Sequence, residues 1–376
     1  MSKKIYMGLF SFVIGIVFVM SIGYCYLEGV HLSVFMSDME LVMESAVPKK
    51  DGIREIYGAI NRIISPYEIA IDGGAIVKDE TGFLQRIDIS PYDIKEAENK
   101  IIELRDICNE NDVQFAYISY PSKVNSFNVK QFYGIDTNEE EMRTDFLNTL
   151  EENQINVLNI RKLLEEKGYT IKEMFYKTDH HWTTKAGLFA AREMARYFKD
   201  YFSYNCDLNL LNENLFSYKK YENCWLGETG RKCSKTWVGS LDDFTVIKPI
   251  YDTSFRYIVP SKGADNTGDF SMLLDEKIYD MEYNLYNTSM HYSYMPGSGL
   301  VTIVHNNNLK GLKVLLIRDS FSIVVVPFLS LVCQDIVMWD MRGNENSVYD
   351  YIRENEFDIV LVAYTDFWRS DMYNFY

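Results

Sequence analysis

The chain is short of positive charge, of cysteine and of histidine, and each shortage excludes something. Lys and Arg number 38 against 54 Asp and Glu, for a formal net charge of −16. Such a chain offers no basic face to phosphates, which sets nucleic-acid binding aside. It also makes a strongly anionic substrate less comfortable, unless a local basic patch overrides the net value. Six cysteines in 376 residues are not a disulfide framework. Cys25 lies in an apolar segment, leaving Cys108, Cys206, Cys224, Cys233 and Cys333 outside it. Cys224 and Cys233 could pair across a short loop in an oxidising compartment, and spacing leaves that open. No cysteine has zinc-site spacing with a histidine. Internal repeats and low-complexity segments are absent too.

From Tyr6 to Leu27 the chain carries no charge over 22 residues, enough to span a hydrocarbon core as a helix. Lys3 and Lys4 precede this run and Glu28 follows it. The positive-inside bias then leaves residues 1–5 in the cytoplasm and exports the rest, as a single-pass cell-membrane protein. A cleaved signal peptide is the rival reading, but it calls for a shorter apolar core and a small-x-small site. Residues 28–70 read as a stalk with helical spacing at Ile53, Ile56, Ile60 and Ile63, followed by one large domain over 71–376.

Hydrophobic residues make up 47% and aromatics 15%, with 28 tyrosines, ample for a core. Ala75–Val77 and Gly82–Leu84 predict a hairpin. Helices are expected over 93–111, ending at Phe146–Leu150, over 161–167 and over 184–198 with Thr183 or Thr184 as cap. Strands are expected at Val113–Ile118 and Asn156–Ile160. Residues 201–308 change character, with Gly, Asn, Asp and aromatics and short alternating runs, and read as an insertion rich in loops and short strands. The alternation then resumes: strand Leu312–Ile317, helix Phe321–Cys333, strand Asp335–Trp339, helix Val348–Asn355, strand Asp358–Ala363. Strands separated by helices of this length predict an α/β fold, a parallel sheet with helices on both faces.

Two short motifs carry chemistry. Asp179-His180-His181-Trp182 places an acid two residues before a histidine; in extended backbone the two side chains would share a face, with His180 turned elsewhere. Asp319-Ser320-Phe321 places a serine where a strand gives way to a helix, the corner at which open α/β sheets put their ligands. Free N–H groups of the first helical turn could there stabilise an oxyanion. Ser320 as nucleophile, His181 as base and Asp179 as its orienting acid would complete an acyl-transfer site. The plainer alternatives are that Ser320 or Asp319 only caps the helix and that His181 is a hydrogen-bonded histidine before a helix cap. Trp182 reads as core or as a sugar platform. D-H-H also resembles part of a manganese phosphoesterase site, but those need further dispersed Asp and His ligands. His31, His291 and His305 lack such company, so neither metal nor cofactor is expected.

Asp179-His180-His181-Trp182-Thr183 followed by a helix resembles the motif of the DHHW family of bacterial exported proteins. These are similar to the alginate O-acetyltransferase SGNH-hydrolase-like proteins, whose D-x-H-W precedes a G-[TD]-S-[FY] serine in circularly permuted order. Ala75–Leu84 is similar to that family's hairpin, Tyr120-Pro121-Ser122-Lys123 follows a strand as there, and Trp225–Arg231 falls where relatives carry a glycine-containing loop. The resemblance implies a three-layer α/β/α SGNH-like domain with Ser320, His181 and Asp179 in the triad roles. It also implies substrate contacts from Trp182, Arg318, Tyr120 and Lys123. Arg318 departs from the pattern, standing where relatives have a small residue and where it could crowd the oxyanion pocket or meet an anionic group. The implied activity is O-acetyl transfer to a cell-surface or secreted polysaccharide, with a membrane-bound O-acyltransferase partner as acetyl source. A carbohydrate acetyl esterase with the same triad, or a non-catalytic polysaccharide-binding protein, would leave the same motifs.

Overall fold

The computed structural model describes residues 50–71, 74–88, 94–123, 139–279, 285–365 and 369–376. The apolar segment 6–27, Cys25 and His31 lie outside them. Among the described residues no helix is long and apolar enough to cross a membrane. The chain divides into two compact units, 1–64 and 65–376. Helix α1 (Lys50–Ile64) belongs to the first, with Asp51 in its first turn and Arg62 in its last, charges that suit the helix dipole.

The second unit opens with a small antiparallel sheet of β1 (Glu68–Ile71), β2 (Gly74–Lys78) and β3 (Leu84–Asp88). β2 and β3 are the expected hairpin, its turn closed by the Asp79 carboxylate accepting from the N–H groups of Thr81 and Phe83. The main sheet starts with β4 (Gln114–Ser119) and β5 (Asn156–Asn159). A separate antiparallel pair, β6 (Phe216–Trp225) and β7 (Asp242–Pro249), follows. Next come β8 (Phe255–Val259), β9 (Ala264–Gly268) and β10 (Val301–Asn306), then β11 (Lys313–Arg318), β12 (Asp335–Asp340) and β13 (Ile359–Tyr364). The main sheet has the order β5-β4-β13-β11-β12-β10-β8-β9. Its first five strands are parallel and its last three antiparallel.

Period-two alternation explains the layering. Val314 and Leu316 of β11 join one core together with Ala116, Ile118, Ile336 and Leu361. Leu315 and Ile317 join another with Phe115, Tyr117, Val337 and Val360. The second core is covered by α2 (Lys95–Glu110) through Ile101 and Leu104, by α3 (Glu139–Glu152) through Phe146 and Leu150, and by Val348 and Ile352 of the helix Val348–Glu354. The first is covered by the helix Thr184–Phe202, which buries Leu188, Phe189 and Met194. Thr183 caps that helix, its hydroxyl accepting from the Ala186 N–H. This is the three-layer α/β/α arrangement that the alternating pattern predicts.

Within residues 201–308, β8, β9 and β10 extend the main sheet beyond β12, while β6 and β7 pair separately. One expectation is corrected. The helix expected over 321–333 is broken into a 3-10 turn at Ser320–Val324 and a single α-turn at Val326–Leu329. Pro327 sits in the first turn of the latter, where its missing N–H costs nothing but where it ends the preceding turn. On Cys224 and Cys233, left open above, the structure has both as free thiols.

Candidate active site

The carboxyl ends of the parallel strands converge on one cavity of about 450 Å³. β11 delivers Asp319 and Ser320, β4 delivers Ser122 and Lys123, β13 delivers Thr365 and β12 leads to Arg342, all of which line it. The placement is that of ligands in open α/β sheets.

Ser320 Oγ lies 2.7 Å from His181 Nε2, and His181 Nδ1 lies 2.6 Å from Asp179 Oδ1. All three residues are buried. Asp319, not Ser320, is the cap: its Oδ1 accepts from the Phe321 N–H at 2.9 Å and its Oδ2 from the Thr365 N–H at 2.6 Å. The Phe321 N–H is therefore already engaged. Among the described residues the Ser320 N–H has no partner, and it is the donor left at this corner for an oxyanion.

The D-H-H-W segment is not extended. It is a tight loop pinched by a bridge between Phe175 and Trp182, within which Asp179 Oδ1 also accepts from the His181 backbone N–H at 2.9 Å. An Asx-type turn, rather than strand alternation, brings acid and imidazole together. The other carboxylate oxygen accepts from the Glu228 N–H at 2.6 Å. Two buried groups brace the loop. Asp242 accepts from Lys177 N–H, Thr178 N–H and the Thr178 hydroxyl at 2.5, 2.7 and 2.6 Å. The Lys123 ammonium donates to the carbonyls of Tyr176, Lys177 and Asp179 at 2.6, 2.9 and 2.8 Å.

Burial alone would raise the Asp179 carboxyl, but the charges of His181 and His180 and the hydrogen bonds from His181 and the Glu228 N–H hold it well below the usual carboxylate range. Burial, reinforced by His180 and His291 and opposed by Asp179, keeps His181 well below an ordinary imidazole. The pair at rest is thus carboxylate and neutral imidazole, the state a general base needs. Asp179, His180 and His181 also offer ligand atoms within 4.8 Å of one another. Both ring nitrogens of His181 and both oxygens of Asp179 are already hydrogen-bonded, however, so a cation taking His181 as a ligand would have to displace its Asp179 or its Ser320 contact.

The remaining expected site residues divide. Lys123 lines the cavity, yet all three of its N–H groups are spent on the loop. Trp182 is fully buried, its indole N–H donating to the Phe321 carbonyl at 3.0 Å, so it braces the turn that carries Ser320 and offers no sugar platform. Tyr120 is fully buried as well, its hydroxyl 3.1 Å from that of Ser322. Arg318 is turned onto Asp340 at 3.0 Å and lines a neighbouring cavity, leaving the oxyanion corner uncrowded. His180, expected to face elsewhere, lines the cavity with its ring centroid 3.8 Å from that of His181. Three histidines meet here, because His291 from the 201–308 region stacks on His181, with ring centroids 3.7 Å apart and planes 12° from parallel. Sequence reasoning missed His291 and its neighbour Tyr292, which also lines the cavity. Neither stands in a periodic segment. Arg86, Lys232, Arg342 and Arg369 surround the opening with Glu228, a local basic balance in an acidic chain. Of these, Lys232, Arg342 and Arg369 are paired with Glu228, Asp340 and Asp371.

Comparison with known proteins agrees with this architecture. The family model described as SGNH hydrolase-like domain, acetyltransferase AlgX, matches residues 85–206, a span that includes Asp179 and His181 and stops short of Ser320. Among solved structures, Bacillus cereus PatB1 with a sulfonyl adduct is similar at 21% identity over 82% of this chain and 99% of that chain, with a TM-score of 0.63. A DHHW family protein from Eubacterium siraeum is similar at 16% identity over 79% of this chain and 91% of that one, TM-score 0.57. No curated protein matches. Over residues 85–206 the chain is similar to the AlgX-type SGNH hydrolase-like domain, and its fold is like those of PatB1 and the DHHW family protein, the likeness that the motifs led one to expect.

Proposed function

We propose that this chain is an extracytoplasmic O-acetyltransferase acting on a cell-surface or secreted polysaccharide through a Ser-His-Asp acyl-enzyme. The observation that carries the reading is the unbroken line Ser320 Oγ to His181 Nε2 at 2.7 Å and His181 Nδ1 to Asp179 Oδ1 at 2.6 Å, opening on a cavity. The AlgX-type domain match supports an acetyl-transfer role.

Ser320 Oγ attacks the donor's acetyl carbonyl as its proton passes to His181 Nε2. Negative charge collects on the carbonyl oxygen, toward the Ser320 N–H. The donor's leaving oxygen takes the proton back from His181, and acetyl-Ser320 remains. A sugar hydroxyl then enters, loses its proton to His181 and receives the acetyl group, restoring the serine. Asp179 holds the imidazole in the right tautomer and stabilises it while charged. In this reading residues 6–27 anchor the chain with the domain outside the cell. The acetyl group is delivered across the membrane by a membrane-bound O-acyltransferase partner, as the resemblance to alginate O-acetylation proteins suggests.

The test is turnover of a chromogenic acetyl ester by the wild type, Ser320→Ala and His181→Ala, with mass spectrometry for acetyl-Ser320. Loss in both variants, with acetyl moving to added oligosaccharide, is the expected result. Acetyl released only to water would make the protein an esterase. Equal signal from all three folded proteins without an adduct would leave a non-catalytic polysaccharide-binding role.

A further inference from the structure

We propose that His291 is a positioning residue that pins the nucleophile's own peptide and covers one face of the catalytic imidazole. The inference rests on Ser320 acting as the nucleophile. His291 Nε2 lies 2.8 Å from the Ser320 carbonyl oxygen. A carbonyl can only accept, so Nε2 carries the proton. Nδ1 is buried without a hydrogen-bond partner, which suits a bare lone pair far better than a second N–H. His291 is thus the neutral Nε2–H tautomer, and burial pushes its pKa down to about 4.

The peptide that His291 grips joins Ser320 to Phe321. Its N–H donates to Asp319 Oδ1 at 2.9 Å, its carbonyl accepts from His291, and the next carbonyl accepts from the Trp182 indole at 3.0 Å. The adjacent Asp319 and two chain segments distant in sequence thereby fix this peptide and the next, and with them the direction of the Ser320 side chain. The same ring lies 3.7 Å from His181 and nearly parallel to it. A ring stacked there excludes water from one face of His181. The 201–308 region thus supplies part of the reaction centre's support.

The experiment uses the full chain in detergent and follows labelling of Ser320 by a small sulfonyl fluoride, alongside kcat and KM on an acetyl ester. His291→Phe keeps a stacked ring and loses the donor; His291→Gln keeps an N–H near the position of Nε2. The expected result for His291→Phe is a labelling rate and kcat lower by about tenfold or more, with KM within about twofold, since sub-ångström misplacement is costly. His291→Gln should recover to within about threefold of wild type, as restoring the donor restores the geometry. Wild-type labelling rates in folded His291→Phe, or equal loss in both variants at unchanged thermal midpoint, would overturn the proposal. If neither variant folds, nitrogen-15 spectra of the wild type decide, because five histidines can be assigned singly. A neutral Nε2–H ring at pH 7 supports the proposal, and an Nδ1–H or charged ring overturns it. Wild type that labels at Ser320 but transfers no acetyl would fail the functional reading alone. Wild type that does not label would fail both.

Discussion

Gly227 has no room for a side chain because Asp179 occupies it: a Cβ at Gly227 would sit 2.3 Å from the Asp179 Cβ and 2.5 Å from its amide nitrogen. The backbone there is ordinary, φ −66° and ψ 170°, so the requirement comes from close approach and not from conformation. That approach lets the next N–H, of Glu228, reach Asp179 Oδ2, and lets the Gly227 N–H donate to the Thr178 hydroxyl at 2.7 Å. Gly227→Ala must push the two loops apart. The expected result is a loss of stability of about 1–3 kcal/mol, the usual range for overpacking, with kcat falling on the order of tenfold or more as the acid shifts. Thermal unfolding and ester kinetics on the same preparation check it; an unchanged kcat would show that the loop contact does not set Asp179.

Asp179→Asn separates charge from shape. The amide keeps one acceptor oxygen, so it can still receive the His181 N–H or the Glu228 N–H but not both, and the loop retains one of its two anchors on this side chain. The amide cannot stabilise a protonated imidazole and permits the wrong tautomer. In a serine triad that loss is on the order of 10⁴-fold in kcat with little change in structure. Single-turnover acetylation of Ser320 measures it directly. A loss of less than about tenfold would remove Asp179 from the triad role, on the same triad precedent.

The acid side of the pH profile follows from His181. Activity needs the neutral imidazole, and burial together with His180 and His291 holds its pKa well below 6.5. Activity should therefore stay level as pH falls through 6.5 and decline only below it. Stability begins to fall in the same window. Below 6.5 the unfolded chain takes up a proton that buried His181 refuses, so stability falls with pH there. The depressed Asp179 contributes stability that is complete above the ordinary carboxylate value of 3.8 and lost as pH drops further. Rate profiles paired with denaturant melts test both signs; an acid limb centred at or above 6.5 would contradict the environment described for His181.

Much of this arrangement could be read from the chain because its causes are local. The strands around Ser320 announce themselves as apolar runs between helices, and Ser320 falls at a strand end where such sheets bind ligands. His181 and Asp179 sit two apart, and one tight turn joins them. His291 gives no such signal. It lies in a short 3-10 turn, His291–Ser293, and reaches His181 only because β10, the strand that follows, adds to the sheet beside β12. That pairing is antiparallel and long-range, and alternating residues such as Val301–Asn306 do not say which strand they will join. Trp182 and Lys123 were placed near the site by their motifs, but whether an indole or an ammonium faces substrate or backbone depends on partners far away in sequence.

Lys123 yields the sharpest prediction. Its ammonium is buried and its three N–H groups hold the carbonyls of Tyr176, Lys177 and Asp179, in and just before the loop that carries Asp179 and His181. Burial lowers its pKa from 10.5 to about 8, against the charges of Asp242, Asp179 and Asp79. Above pH 8 one of the three donors is lost, so activity should decline on the alkaline side as the loop loosens. The stability contribution has the opposite sign. Between 8 and 10.5 the unfolded chain binds the proton that folded Lys123 has given up, so this group alone makes the protein more stable as pH rises. Lys123→Met keeps an unbranched side chain one atom shorter and leaves three carbonyls without their donor, each worth about 1–3 kcal/mol if truly orphaned, partly offset by no longer burying a charge. The variant should lose kcat more than KM. It should also lose both the alkaline decline in activity and the matching rise in stability. If the decline near pH 8 survives in folded Lys123→Met, its origin lies elsewhere, and Lys123 is only one more polar group in the cavity wall.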